Sequence, residues 1–256
     1  MICKTKQKYN PQLQWSVKNK QSIFYILIFT LFLIPKNLFS QTAEEYYKKG
    51  VTNYTLHDFK NAASDFSKVI EFDPKNVNAL IYRGNCKSNL NNNKGALEDL
   101  TKAIEINPKE ALAYYNRGHV EDELKEYKEA LNDYNKAIGL NNKNEFFYNK
   151  RGLTKANLKD YKGAIADFNI AVKLNPKDAG TYLNRGNSKS KLTDYKNAIS
   201  DYNQAIILRL DFMDAFFNRG LAEISLKQND KGCEDFKKAK SLGDKEADEM
   251  IKIYCH

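Results

Sequence analysis

Histidine, cysteine and proline are scarce in this chain: three, four and five residues among 256. His57, His119 and His256 lie far apart in the sequence, and no HExxH, CxxC, GxSxG or GxxxxGK[ST] pattern occurs. Metal-dependent, nucleophilic and phosphate-loop chemistry therefore lack their usual residue sets. The sequence gives no reason to expect a catalytic residue, a metal site or a cofactor. Acidic residues are absent from the first forty positions, which instead carry Lys4, Lys6, Lys8, Lys18, Lys20 and Lys36. No apolar run reaches the roughly 20 residues that a membrane span needs. With 42% apolar and 29% charged residues, the composition is neither collagen-like, low-complexity nor polytopic.

The formal charge of +9 belongs mostly to the first forty residues; without them 35 basic residues face 32 acidic ones. The basic stretch leads into Ile23–Ile34, an apolar run of twelve, followed by Pro35 and by Leu38-Phe39-Ser40 ahead of Gln41. A basic segment, a short apolar run and a small residue before a polar start form the pattern of a secretory signal peptide. Residues 1–40 are thus expected to direct export to the periplasm or cell envelope, with cleavage near Ser40. An uncleaved inner-membrane anchor over residues 22–40 and a cytosolic chain remain the alternatives. The only tryptophan, Trp15, lies in this segment.

The rest of the chain repeats. Gly50, Gly84, Gly118, Gly152, Gly186 and Gly220 are each 34 residues apart, and the residue before each is basic: Lys49, Arg83, Arg117, Arg151, Arg185 and Arg219. Leu56, Leu90, Leu124, Leu158, Leu192 and Leu226 keep the same register, as do Asp65, Asp99, Asp133, Asp167, Asp201 and Asp235. Six copies result: 43–76, 77–110, 111–144, 145–178, 179–212 and 213–246. Within 111–144, apolar residues at helical spacing predict one helix over 111–124 and a second over 127–140. Pro74, Pro108 and Pro176 stand just past the second helix, where a helix cannot continue; Asn142 and Leu210 replace proline in two copies, so those ends are expected to be less sharply set.

The glycine column should face Ala62, Ala96, Ala130, Ala164, Ala198 and Gly232, letting the two helices of a hairpin approach closely. The bulky column of Phe66, Leu100, Tyr134, Phe168, Tyr202 and Phe236 should fill the space to the next hairpin. Two helices alone cannot bury both faces, so the units must stack. In its 34-residue period and its order of Gly, Ala, aromatic, Ala and Pro, the chain resembles the tetratricopeptide repeat (TPR) family. The resemblance spans about four-fifths of the chain. It implies an all-α fold, an α-solenoid of six helix–turn–helix repeats coiled as a right-handed superhelix, whose first helices line a concave groove for a partner peptide.

The basic–aspartate columns depart from the leucine that the family usually places before the glycine. A ladder of arginine–carboxylate pairs between neighbouring helices accounts for them, since a guanidinium binds a carboxylate through two parallel hydrogen bonds. In the sixth copy Lys240 replaces the Ile or Val of the others, and Gly243 ends the helix. Asp244 offers an N-cap for a capping helix over 247–256, with Ala247, Met250, Ile251 and Tyr254 on one stripe. Cys233 and Cys255 fall level on antiparallel neighbours, and an exported protein meets an oxidising compartment, so a disulfide is expected. Cys86 reads as a small packing residue, and Cys3 departs with the leader.

On the exposed side of the first helices lie Tyr47, Tyr82, Asn85, Asn116, His119, Lys150, Asn184, Asn187 and Asn218. These are the candidate peptide-binding residues. Asn116, Asn184 and Asn218 share one column, and an amide that both donates and accepts can hold a peptide backbone whatever its side chains. Peptide-binding TPR proteins similarly place asparagine here. Chaperone-tail binders add a clamp of lysines and arginine for a carboxylate; Asn85, Asn116 and Lys150 match part of it, but Ile81 and Phe146 stand where it has lysine. The reading is a non-catalytic scaffold that binds a peptide or helix of an envelope partner in its groove. The alternative is a structural subunit of an envelope or secretion assembly that uses its convex face or termini, with self-association open. A net charge near +3 beyond the leader argues against nucleic acid, and membrane contact is expected only through the N-terminal segment, if that segment is uncleaved.

Overall fold

The computed structural model describes residues 36–255, with side chains from Thr42 onward. Cys3, the lysines up to Lys20, Trp15, the Ile23–Ile34 run and His256 lie outside the described residues.

Thirteen α-helices and no strand are found among the described residues. The first twelve form six hairpins. They are α1 (Lys36–Thr55) with α2 (Phe59–Phe72), α3 (Val77–Asn89) with α4 (Asn93–Ile106), and α5 (Ala111–Glu123) with α6 (Tyr127–Leu140). Then follow α7 (Glu145–Asn157) with α8 (Tyr161–Leu174), α9 (Ala179–Lys191) with α10 (Tyr195–Leu208), and α11 (Met213–Ser225) with α12 (Asn229–Ser241). A short α13 (Ala247–Tyr254) closes the array. α1 begins at Lys36, ahead of the repeat boundary at residue 43.

Each helix packs on the one before and the one after it, and first helices also touch the first helices of adjacent repeats. Second helices make no comparable contact with one another, so the first helices line the inner side of the stack. The core is periodic for the same reason that the sequence is. Ala62, Ala96, Ala130, Ala164 and Ala198 are fully buried, and so are Phe66, Leu100, Tyr134, Phe168 and Phe236, with Tyr202 at 1% exposure. Burying each large side chain stabilises by roughly 1.5–3 kcal/mol.

The glycines make room chiefly for these bulky residues. A Cβ added at Gly186 would lie 2.6 Å from Tyr202 Cε1, and at Gly152 2.7 Å from Phe168 Cε1. The backbone of the small column adds to the squeeze, with the Ala130 carbonyl 3.2 Å from a Cβ at Gly118. The ring does not only fill space toward the next hairpin: it lies against its own glycine and also reaches across, as Phe66 stacks on Tyr82 at 5.0 Å.

Five repeats carry the same clasp. The arginine before the glycine binds its aspartate through both Nε and Nη2, at 2.9 and 2.5 Å for Arg151 and Asp167. Nη1 then donates backward into the preceding repeat, to Ser67, Thr101, Asn135, Asn169 and Asn203 in turn. The ladder thus ties each hairpin internally and to its predecessor. The first repeat has lysine instead, and Lys49 makes a single 3.6 Å contact with Asp65 while staying 67% exposed.

First helices end alike on a left-handed residue: His57, Asn91, Lys125, Lys159, Thr193 and Lys227, with φ between 59° and 64°. In the third repeat the Lys125 N–H donates to the Asp122 carbonyl and the Glu126 N–H to the Glu121 carbonyl, a Schellman arrangement shared by the other five. The leucine column sits one residue earlier, at the C-cap. The first five second helices stop in one register, α6 at Leu140 and α10 at Leu208 included, while α12 ends one residue earlier, at Ser241. Asn142 and Leu210 do not blur those ends: the C-cap N–H of Asn141 and Arg209 bonds Ala137 and Ala205, as the Asn107 N–H bonds Ala103. The packed alanine column holds the register without proline.

At the C-terminal end, Asp244 Oδ1 accepts the N–H groups of Glu246 and Ala247 and so starts α13, although Glu246 occupies the N-cap position itself. Ala247 is fully buried, and Met250 and Ile251 pack on the core of the last repeats; Tyr254, expected on the same stripe, is 39% exposed. A disulfide joins Cys233 of α12 to Cys255 just past α13, with the Cα atoms 5.7 Å apart. Cys86 is buried, and burial pushes its thiol up to about 12.

Candidate functional site

The inner face is a row of first-helix side chains. Between α1, α3 and α5 these enclose a cleft of about 290 Å³ lined by Tyr54, Asn85, Ser88, Asn89, Tyr115, Asn116, His119, Val120 and Glu123. It is a mixed surface of two aromatic rings, three amides, a hydroxyl, an imidazole and a carboxylate. Helical geometry gathers them: in α5, Tyr115, His119 and Glu123 recur every fourth residue and so share one stripe.

Its polar groups are partly fixed by one another. Ser88 Oγ donates to Glu123 at 3.1 Å across α3 and α5, and Asn89 Nδ2 donates to the Asn85 carbonyl at 2.8 Å. His119 Nδ1 stands 3.7 Å from Glu123. Burial holds the imidazole below its ordinary value, Lys150 adds to this, and Glu123 and Asp122 oppose it. At neutral pH His119 is therefore uncharged, with one nitrogen to donate and one to accept. Tyr115 is pushed up to about 12 by burial, so it stays a neutral ring with a hydroxyl donor.

Of the nine residues expected to bind a peptide, the cleft brings together Asn85, Asn116 and His119. Tyr47 and Tyr82 belong instead to an aromatic cluster at the N-terminal end, where Tyr82 meets Tyr47 at 6.1 Å, Tyr54 at 5.3 Å and Phe66 at 5.0 Å. Lys150 lies in the next first helix, near enough to act on His119. Asn187 and Asn218 are engaged with each other: Asn187 Oδ1 accepts from Asn218 Nδ2 at 3.0 Å and from the Tyr202 hydroxyl at 2.9 Å. Asn184 lies in α9, two repeats beyond the cleft; its main-chain carbonyl accepts from Ser188. Tyr54, Tyr115, Ser88, Asn89 and Glu123 were not expected. The four-residue spacing from Tyr115 to His119 is the sequence signal that could have placed Tyr115 on this face.

Leu112 and Phe146 occupy one column on α5 and α7 and are 48% and 59% exposed, so apolar surface accompanies the polar cleft. A shallower recess of about 690 Å³ lies between α4 and Leu124, lined by Leu97 and the stems and charges of Lys94, Glu98, Lys102 and Glu105. Among the described residues no group of three His, Cys, Asp or Glu side chains could hold a metal ion, and no helix is long and apolar enough to cross a membrane.

The family models described as Tetratricopeptide repeat match residues 43–76, 78–110, 111–144, 147–178 and 179–211. Copy 213–246, which has Gly232, Cys233 and Lys240 in otherwise regular columns, is outside the matched residues. No curated protein sequence matches the chain. Among solved structures it is similar to YrrB, a TPR protein with an unusual peptide-binding site, at 26% identity and a TM-score of 0.64 over 74% of this chain and 98% of that one. It is also similar to PilF of Pseudomonas aeruginosa (19% identity, TM-score 0.74, covering 84% of this chain and 98% of that one). MamA of Desulfovibrio magneticus RS-1 follows at 19% identity and a TM-score of 0.60, over 67% of this chain and 97% of that one. Proteins of this fold bind other proteins or peptides and are generally non-catalytic scaffolds. With five matched copies laid out as stacked helical hairpins, the chain belongs to the tetratricopeptide repeat family.

Proposed function

We propose that this protein is a non-catalytic scaffold that holds a peptide segment or helix of an envelope partner along its inner face, centred on the cleft between α1, α3 and α5. The observation that carries this reading is the composition of the cleft. Asn85, Asn116 and His119 converge there beside Tyr54 and Tyr115. Amides and a neutral imidazole serve main-chain donors and acceptors, while the rings and the nearby Leu112 and Phe146 receive apolar side chains. The peptide-binding site described for YrrB supports the same use of the fold. Residues 1–40 have the sequence pattern of an export signal, and the Cys233–Cys255 pair suits an oxidising compartment. We therefore place the scaffold in the periplasm or envelope.

A structural subunit that docks through its outer face is the second reading. It is favoured by Ile207 and Leu210, which are 67% and 76% exposed near the end of α10. Partner capture separates the two. In a chain carrying Asn85→Ala and Asn116→Ala, the partner retained by the wild type should be lost by about tenfold or more, as expected for two to three lost hydrogen bonds. The melting temperature should stay near that of the wild type. Undiminished capture by this double variant refutes the groove assignment.

A further inference from the structure

One turn after the basic residue of each repeat stands a second position that addresses the buried aspartate: Asn53, Lys87, Glu121, Lys155, Lys189 and Glu223. In the first repeat Asn53 Nδ2 donates to Asp65 at 2.7 Å. In the second, fourth and fifth, the lysine ammonium reaches Asp99, Asp167 or Asp201 at 2.7 Å. Those aspartates each have two cations around one carboxylate. The third and sixth repeats invert this arrangement. Glu121 and Glu223 remove the second cation and bring a second carboxylate toward Asp133 and Asp235. Their single guanidinium is already committed: Arg117 Nε is 2.6 Å from Asp133 but 3.9 Å from Glu121, and Arg219 holds Asp235 through two 2.7 Å bonds.

An independent feature marks the same two residues. Glu121 Oε2 and Glu223 Oε2 are both buried with no hydrogen-bond partner, and Glu223 is only 7% exposed. An unpartnered ionised oxygen is costly to bury, whereas a bound proton removes the charge.

We propose that Glu121 with Asp133, and Glu223 with Asp235, are proton-holding carboxylate pairs, so that repeats three and six tighten as their surroundings acidify while the lysine-bearing repeats do not respond. The remaining electrostatics agree. Burial raises both glutamates to about 7, and the neighbouring aspartate adds to the rise. Around Glu121, Glu126 and Glu129 raise it further, Arg117 opposes, and the buried Tyr134 hydroxyl stays neutral. Around Glu223, Arg219 and Lys231 oppose and Glu234 adds. A carboxyl raised in the fold binds its proton more tightly folded than unfolded. Its contribution to stability is therefore whole below the ordinary glutamate range and is lost as pH rises toward 7. The third repeat carries Asn116 and His119 of the cleft, and the sixth supports α13 and the disulfide. His119 is shifted in the opposite direction and acts with the opposite sign.

The test compares the full chain with Glu121→Gln/Glu223→Gln and with Glu121→Lys/Glu223→Lys, the latter placing at both sites the residue that three sister repeats carry. All three proteins keep His119, so its contribution cancels. Between about pH 5 and about pH 8, the wild type should lose several degrees of melting temperature more than either double variant. Carboxyl NMR should show Glu121 and Glu223 titrating near neutrality, above the other glutamates. Equal pH dependence in all three proteins, or Glu121 and Glu223 titrating with the ordinary glutamates, overturns the proposal.

Discussion

Lys125 holds a left-handed backbone at φ 64° with its side chain in solvent, and five equivalents do the same at the end of the other first helices. A side chain there costs roughly 1 kcal/mol relative to glycine, because Cβ crowds the following carbonyl. Lys125→Gly should accordingly raise unfolding free energy by about 1 kcal/mol, read as a higher urea midpoint. An unchanged or lower midpoint contradicts this account of the turn. The break between 111–124 and 127–140 was legible in the sequence, but the left-handed conformation of these turns was not, for a chemical reason. His57, Asn91, Lys125, Lys159, Thr193 and Lys227 share no property that marks a positive φ, and glycine takes the role only at Gly243. The leucine before each was conspicuous, yet it closes the helix at its edge and does not fill the core: Leu56 is 71% and Leu158 48% exposed.

At the scale of the helix pair, the arginine clasp does what a lysine cannot. Arg151 binds Asp167 with two nitrogens and Asn135 of the preceding repeat with the third. A single ammonium offers one point of attachment, as Lys49 illustrates in the first repeat. Arg151→Lys keeps the charge and should still cost about 1.5–3 kcal/mol in chemical denaturation, from loss of charge-assisted bonds. A cost of only a few tenths of a kcal/mol would assign these columns to solvated surface. The arginine and aspartate columns were plain in the sequence because both residues are invariant across five repeats. The third partner was not, since Ser67, Thr101, Asn135, Asn169 and Asn203 vary in type and meet only when repeats stack.

Over the whole molecule, periodicity made the fold legible and the face only partly so. A core column read in one repeat recurs in most of the others, which is why the hairpins and the bulky core could be anticipated from one copy. Binding surface depends on how columns from different repeats converge, and that is set by stacking. Asn85, Asn116 and His119 meet in one cleft, but Asn187 and Asn218 turn to each other, although Asn116 and Asn218 occupy the same column. Tyr54 and Tyr115 show the converse: they were not among the expected binding residues, yet line the cleft between first helices. The inner face is thus differentiated along its length, polar and aromatic at repeats one to three and internally bonded at repeats five and six. The groove assignment is tested most directly by site-specific photo-cross-linking in the native compartment, with the reactive group placed at Asn116 or at Ile207. The account predicts a cross-linked partner from Asn116 and none from Ile207. Adducts from Ile207 alone would contradict it and move the docking surface to the outer face.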